Sequence, residues 1–262
     1  YAQWTANTYT IEYYQGSTKL GSSSHTYDEA KNLTAYATLG GTVPTGGWSF
    51  YGWGAVNNST TTTRAYTNSQ SVTNLATSGT IKLYAIFNRT INVYSGINKA
   101  TNNSKVQYYN PSNSAGTAIA IVAPAAITNW TALGYRTDTT ASTSTQAAGN
   151  VTPAATSNAP TYYAVYSRSY TANFYSGVSH GTTKTKASNT AYYNTNTASL
   201  PTTVSITLDT AANSTDITNW TELGWRDDTN DDVKEYSYGA TATVAFGTNF
   251  YSTYSRTLTV SY

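Results

Sequence analysis

Three short patterns recur in the same order three times along this chain, and self-similarity of that kind restricts the fold to a small unit built in tandem. The first is a strand-like stretch running into a glycine: YTIEYYQG at 9–16, TINVYSG at 90–96 and YTANFYSG at 170–177. The second is Trp-x-x-x-Gly-aromatic: WSFYGW at 48–53, WTALGY at 130–135 and WTELGW at 220–225. The third is an aromatic closing stretch: LYAIF at 83–87, YYAVY at 162–166 and FYSTY at 250–254. Gly16, Gly96 and Gly177 fall 80 and 81 residues apart, and the closing tyrosines Tyr84, Tyr163 and Tyr251 fall 79 and 88 apart. Repeats two and three are the closer relatives, since ITNWTALGYRTDT and ITNWTELGWRDDT match at most positions.

These markers divide the chain into repeats at 5–88, 89–167 and 168–255. Tyr1-Ala2-Gln3-Trp4 aligns with the closing stretches and reads as the tail of a preceding unit. Residues 256–262 read as the start of a following strand or repeat. The joints NRT at 88–90 and SRS at 167–169 are short, which predicts semi-rigid neighbours.

Within a repeat, alternation places Tyr9, Ile11 and Tyr13 on one buried face, with Ile91 and Val93, and Tyr170, Ala172 and Phe174, as their counterparts. The three glycines after these stretches predict hairpin turns. Thr26-x-x-Glu29 fits a capping box, Asp28 is a second capping candidate, and Ala30, Leu33 and Ala37 would share a helical face. Asn110-Pro111 and Asn194-Thr195 carry the equivalent capping signal. Gly52, Gly134 and Gly224 predict a bulge or close backbone approach inside a strand. The expected fold class is therefore α+β and strand-rich.

The residue inventory narrows the chemistry. Charged residues are 10% of the chain against roughly 25% in an ordinary domain. Aromatics reach 14%, dominated by 25 Tyr, a composition suited to half-buried strands. The absence of cysteine excludes disulfides, thiolate nucleophiles and Cys-based zinc sites. The 14 Lys and Arg are scattered and the net charge is +2, so no nucleic-acid footprint forms. The longest apolar stretch, at 118–127, is too short to span a membrane, so no membrane insertion by this segment is expected.

His25 and His180 occupy non-equivalent positions and read as surface-loop residues. Asp228, Asn230 and Asp232 alternate like the start of a calcium loop, but Val233 stands at the glycine position and the twelfth-position glutamate is missing. The segment Asp227–Asp232 therefore reads as a solvated turn. Trp48, Trp130 and Trp220, and the rings Trp53, Tyr135 and Trp225, recur and so read first as core. The alternative is a glycan-stacking platform of exposed Tyr and Trp. No catalytic residue, metal site or cofactor is assigned, and an enzyme is not expected, because no unique acid–base constellation stands out.

Taken together, the three patterns resemble the Listeria–Bacteroides repeat, the internalin-type B repeat of bacterial surface proteins. WSFYGW at 48–53 and KLYAIF at 82–87 match best; repeats two and three replace Phe50 by Ala132 and Glu222, and end in Tyr166 and Tyr254 where the family has Trp. The resemblance implies three tandem small β-grasp-like modules in an elongated array on a secreted or wall-attached protein of Gram-positive or gut bacteria. It brings no catalytic residues. The function it implies is a stalk, spacer or adhesive segment, with host or cell-surface glycans or proteins as partners. A carbohydrate-binding array is the alternative.

Overall fold

A computed structural model describes residues 3–57, 63–112, 115–183, 186–210, 217–229 and 233–262. Its regular structure is strand throughout, apart from two single-turn 3-10 segments, Ile97–Lys99 and Val178–His180. The first repeat holds β1 (Thr8–Gln15), β2 (Thr18–Thr26), β3 (Lys31–Asn32), β4 (Ser49–Gly54), β5 (Ser71–Val72) and the start of β6 (Gly79–Ser95). Next come β7 (Thr101–Asn102), β8 (Lys105–Tyr109), β9 (Ile119–Ile121), β10 (Thr131–Arg136), β11 (Gly149–Val151) and β12 (Thr161–Ala172). The last repeat adds β13 (Phe174–Ser176), β14 (Thr182–Thr183), β15 (Ala187–Asn194), β16 (Thr203–Thr207), β17 (Thr221–Arg226), β18 (Thr241–Ala245) and β19 (Phe250–Ser255).

The expected α+β class and the β-grasp-like module are therefore wrong: the fold is nearly all-β, and no α-helix occurs among the described residues. Where a helix was expected, each repeat has a two-stranded antiparallel ribbon: β3 with β5, β9 with β11, and β16 with β18. Period-two burial explains the outcome. Ile119 and Ile121 point inward on β9, as do Val204 and Ile206 on β16, and β-branched side chains favour that pleat over a helix. In the first repeat Leu33 is buried but Ala30 and Ala37 are exposed, so no apolar helical stripe exists. The capping signals are spent on turns instead. Asp28 adopts φ 64°, its N–H donates to Asn74 Oδ1 at 2.6 Å, and Asn74 Nδ2 donates back to Asp28 Oδ1 at 2.7 Å. Asn110 Oδ1 and Asn194 Oδ1 accept from the Ser112 and Asn196 N–H groups, closing Asx turns rather than helix N-termini.

The chain divides into two compact units. One comprises Tyr1–Ser95, Ala100–Pro124 and Gln146–Tyr163. There β1 lies between β2, antiparallel, and β6, parallel, with Tyr9 to Tyr14 opposite Gly79 to Tyr84. On the far side of β6 runs β4, and its register slips between Phe50 and Gly52, the bulge the glycine pattern predicts. Tyr9, Ile11, Tyr13, Leu83 and Phe87 meet Leu33, Tyr36 and Trp53 in the core. Ring packing supplies much of it: Tyr36 stacks on Phe50 at 4.3 Å and Tyr13 lies 4.9 Å from Trp53.

The other unit comprises Gly96–Lys99, Ala125–Thr145 and Ala164–Tyr262. Its last sheet repeats the same order, β14, β13, β19, β17, with β13 and β19 parallel and a second bulge between Glu222 and Gly224. Phe174, Trp225 and Phe250 centre its core with Val204, Ile206 and Val244.

The joints are not linkers. Residues 88–90 lie inside β6 and residues 167–169 inside β12, so each closing strand runs on as the next opening strand. Of the tetrapeptide at the start, Tyr1 and Ala2 lie outside the described residues, while Gln3 and Trp4 are in no strand. Residues 256–262 are also strandless and exposed.

Candidate functional site

The most elaborate side-chain constellations form where one repeat meets the strand of the next. At the first joint Trp48, which directly precedes β4, is 5% exposed and donates from Nε1 to the Ala155 carbonyl at 2.9 Å. Tyr109, at the end of β8 in the following repeat, packs on it at 5.2 Å. Arg89 on β6 lies over the indole at 4.3 Å. Its guanidinium is buried and donates to Gln107 Oε1 and to the carbonyls of Gly46, Ala154 and Ser157 at 2.6–2.9 Å. Burial lowers its pKa, and these acceptors offset the desolvation without a carboxylate.

The second joint copies the first. Trp130 is 9% exposed and lies 6.2 Å from Tyr193, at the end of β15, and 6.1 Å from Phe246. Arg168 stands over Phe246 at 4.0 Å, the position along β12 that Arg89 takes along β6. Three consecutive residues make the closure. Tyr193 Oη accepts from the Asn98 N–H at 2.8 Å, the Thr195 carbonyl accepts from the Lys99 N–H at 3.0 Å, and Asn194 Nδ2 donates to the carbonyls of Asp138 and Thr140 at 3.2 and 3.1 Å. Asp138 itself is gripped by Arg136 at 2.7 Å and accepts from the Thr140 N–H at 2.9 Å; Arg136 first, then that N–H, holds its carboxyl well below the usual range.

Repeats two and three end in tyrosine, and the hydroxyl has a task. The Gly96 N–H donates to Tyr166 Oη at 2.9 Å, and the Gly177 N–H to Tyr254 Oη at 2.8 Å. Tyr166 Oη in turn donates to the Ala125 carbonyl at 2.9 Å.

In the third repeat the equivalent tryptophan, Trp220, is 40% exposed, so core packing holds for Trp48 and Trp130 but fails for Trp220. It lines a concavity of about 270 Å³ with Ile217, Arg226, Thr229, His180 and Tyr254. The rings Trp53, Tyr135 and Trp225 are fully buried, as the core reading expects. Burial, with a smaller contribution from Tyr166, pushes the Tyr135 phenol up to about 12.

His180 is exposed on its 3-10 turn, as expected, with its ring 4.7 Å from Tyr251. His25 is not a surface residue: it is 1% exposed on β2 and stacks on Tyr9 at 5.5 Å. Its Nε2 meets Ser23 Oγ at 3.0 Å, but Nδ1 has no hydrogen-bond partner among the described residues, so no carboxylate orients the ring as a nucleophile-activating base requires. Burial, then the charge of Lys31, lowers its pKa.

Asn230 and Asp232 of the calcium-like pattern lie outside the described residues. Asp227, Asp228 and Glu235 do cluster, but all three are exposed and engaged. Asp228 pairs with Arg226, Glu235 Oε2 accepts the Asp227 N–H at 3.0 Å, and Asp227 Oδ2 accepts from Tyr236 at 3.2 Å.

One outward feature escaped the sequence reading. The parallel terminal strands put a half-exposed tyrosine pair in register in every repeat: Tyr14 with Tyr84 at 5.5 Å, Tyr94 with Tyr163 at 6.0 Å and Tyr175 with Tyr251 at 5.5 Å. The second member of each pair recurs visibly in the closing stretch, but only strand order reveals its partner. No protein-family model matches the chain, and no curated protein matches it.

Proposed function

We propose that the chain is a non-catalytic tandem-repeat segment of a bacterial cell-surface protein, secreted or wall-attached, that serves as a load-carrying spacer. The observation that supports this reading is strand order. In each repeat the opening and closing strands are parallel neighbours: β1 with β6, the end of β6 with the start of β12, and β13 with β19. Tension applied through the two ends of such a repeat pulls the paired strands in opposite directions along their length. Their hydrogen bonds are then loaded together in shear, not opened one at a time. The resemblance to the Listeria–Bacteroides repeat and the low charge point the same way.

Single-molecule pulling on the chain by its two ends tests it. Discrete unfolding steps at high force are expected, with the third repeat yielding first: two register pairs join its terminal strands, Phe174 with Phe250 and Tyr175 with Tyr251, against six between β1 and β6. Featureless extension at low force would overturn the reading.

The stacked tyrosine pairs favour a second reading, an adhesive surface for glycans, because half-exposed rings offer flat apolar faces to a sugar. A glycan array probed with the chain, and with Tyr84, Tyr163 and Tyr251 replaced by Ala, decides it. Binding lost in the variant supports adhesion, and no binding by the parent chain removes it.

A further inference from the structure

We propose that the concavity around Trp220 is a docking site for the second strand of a further repeat carried on the same chain after residue 262. The strand would present a Tyr-Asn pair like Tyr193-Asn194. The proposal rests on the tandem-repeat reading for the source of the occupant, and on internal comparison for everything else.

The same site occurs twice more, filled. Trp48 meets Tyr109 and Trp130 meets Tyr193, and each tyrosine belongs to a Tyr-Tyr-Asn run, 108–110 and 192–194. Both asparagines are buried, at 1% and 0% exposure. In both cases the covering strand reaches back across the joint to pair antiparallel with the preceding closing strand: Tyr109 opposite Phe87, and Tyr193 opposite Tyr166. Among the described residues the third repeat has matching receiving parts. Tyr254 stands where Tyr166 stands, with the same bond from its turn glycine. The Arg226–Asp228 pair reproduces Arg136–Asp138, whose loop carbonyls hold Asn194. The receiving turn has the same backbone: Asn98 and Lys99 have φ of 51° and 58°, Ser179 and His180 of 53° and 56°. What differs is cover. Trp220 is 40% exposed against 5% and 9% for its counterparts.

The occupant follows from the same comparison. A second copy of this chain has its own Tyr-Tyr-Asn runs already paired at its own joints, so it has no such strand to lend. A repeat continuing from Ser255 would bring its second strand to the same place, since Ser255-Arg256 matches Ser167-Arg168 in the strand that carries β12 into repeat three. The docking chemistry is correspondingly specific: a tyrosine ring on the indole, a backbone ladder along Tyr254 and Ser255, and an asparagine amide on the 226–229 loop.

The chain contains no cysteine, so a single Thr229→Cys change gives a unique thiol at the rim of the concavity. Its maleimide reaction rate is measured in the chain as it stands and in a chain extended after Ser255 by a copy of residues 168–255. At least tenfold slower labelling is expected in the extended chain, with the rate restored when the added copies of Tyr193 and Asn194 become Ala. Acrylamide quenching of Trp220, isolated by difference against Trp220→Phe, gives a second measure should that variant fold poorly. Equal labelling and equal quenching with a folded added repeat would overturn the proposal. The pulling experiment on the unextended chain does not depend on this site, so the two readings fail separately.

Discussion

Replacing Trp48 by Ala should cost about twice what the same change costs at Trp220. An aromatic side chain removes roughly 150–250 Å² from water, which at about 25 cal/mol per Å² amounts to about 4–6 kcal/mol before relaxation. Trp48 is 5% exposed, so nearly all of that is at stake. It also gives up the 2.9 Å bond to the Ala155 carbonyl and the face that Arg89 covers at 4.3 Å. Partial collapse of the cavity offsets part of this, leaving an expected loss of about 4 kcal/mol, within the range seen for large aromatic truncations. Trp220 is 40% exposed and forfeits only the remainder, about 2 kcal/mol. Urea unfolding followed by far-ultraviolet circular dichroism, which does not depend on the removed indole, reads both. Equal losses at the two positions would refute the reasoning, because Trp48 would then not be stabilised by the strand of the next repeat.

Three further outcomes are expected. Gly52→Ala should cost about 3 kcal/mol and Gly79→Ala about 1. Both glycines have positive φ, but a Cβ at Gly52 would come 2.5 Å from the Tyr66 carbonyl, while at Gly79 nothing lies within 4 Å; denaturant midpoints compare them. Tyr166→Phe should cost about 2 kcal/mol by stranding the buried Gly96 N–H and the Ala125 carbonyl, and should speed hydrogen exchange at Gly96 while leaving Gly177 protected. At alkaline pH, burial raises Tyr36 and Tyr135 from the ordinary 10.0 to about 12. A phenol raised in the folded state contributes stability that is complete below pH 10 and disappears as pH climbs through 12. The last tyrosinates should therefore appear together with the loss of circular dichroism, and full ionisation of a still-folded chain would contradict this.

The periodic features of the fold were legible because each repeats with a physical cause. Alternation on β1, β6, β12 and β13 marked the buried faces of Ile11, Val93, Ala172 and Phe174, and the glycine in Trp-x-x-x-Gly marked the bulge on β4 and β17. The helix was misread because Asp28, Asn110 and Asn194 carry a signal that turns and helix starts share: a short polar side chain accepting a nearby N–H. Nothing local distinguishes the two; the inward alternation of Val204 and Ile206 is what sets a strand there. His25 was misread for another reason: its burial depends on Tyr9 across the hairpin. The exposure of Trp220 depends on a contact, Tyr109 on Trp48 or Tyr193 on Trp130, that joins residues more than 60 positions apart.

Because Trp48 and its lid Tyr109 come from adjacent repeats, the heritable unit here is a phase and not a module. An in-frame duplication of one full period adds one indole and one covering tyrosine together, wherever its breakpoints fall. A gain or loss of part of a period leaves an indole bare or a tyrosine without a seat.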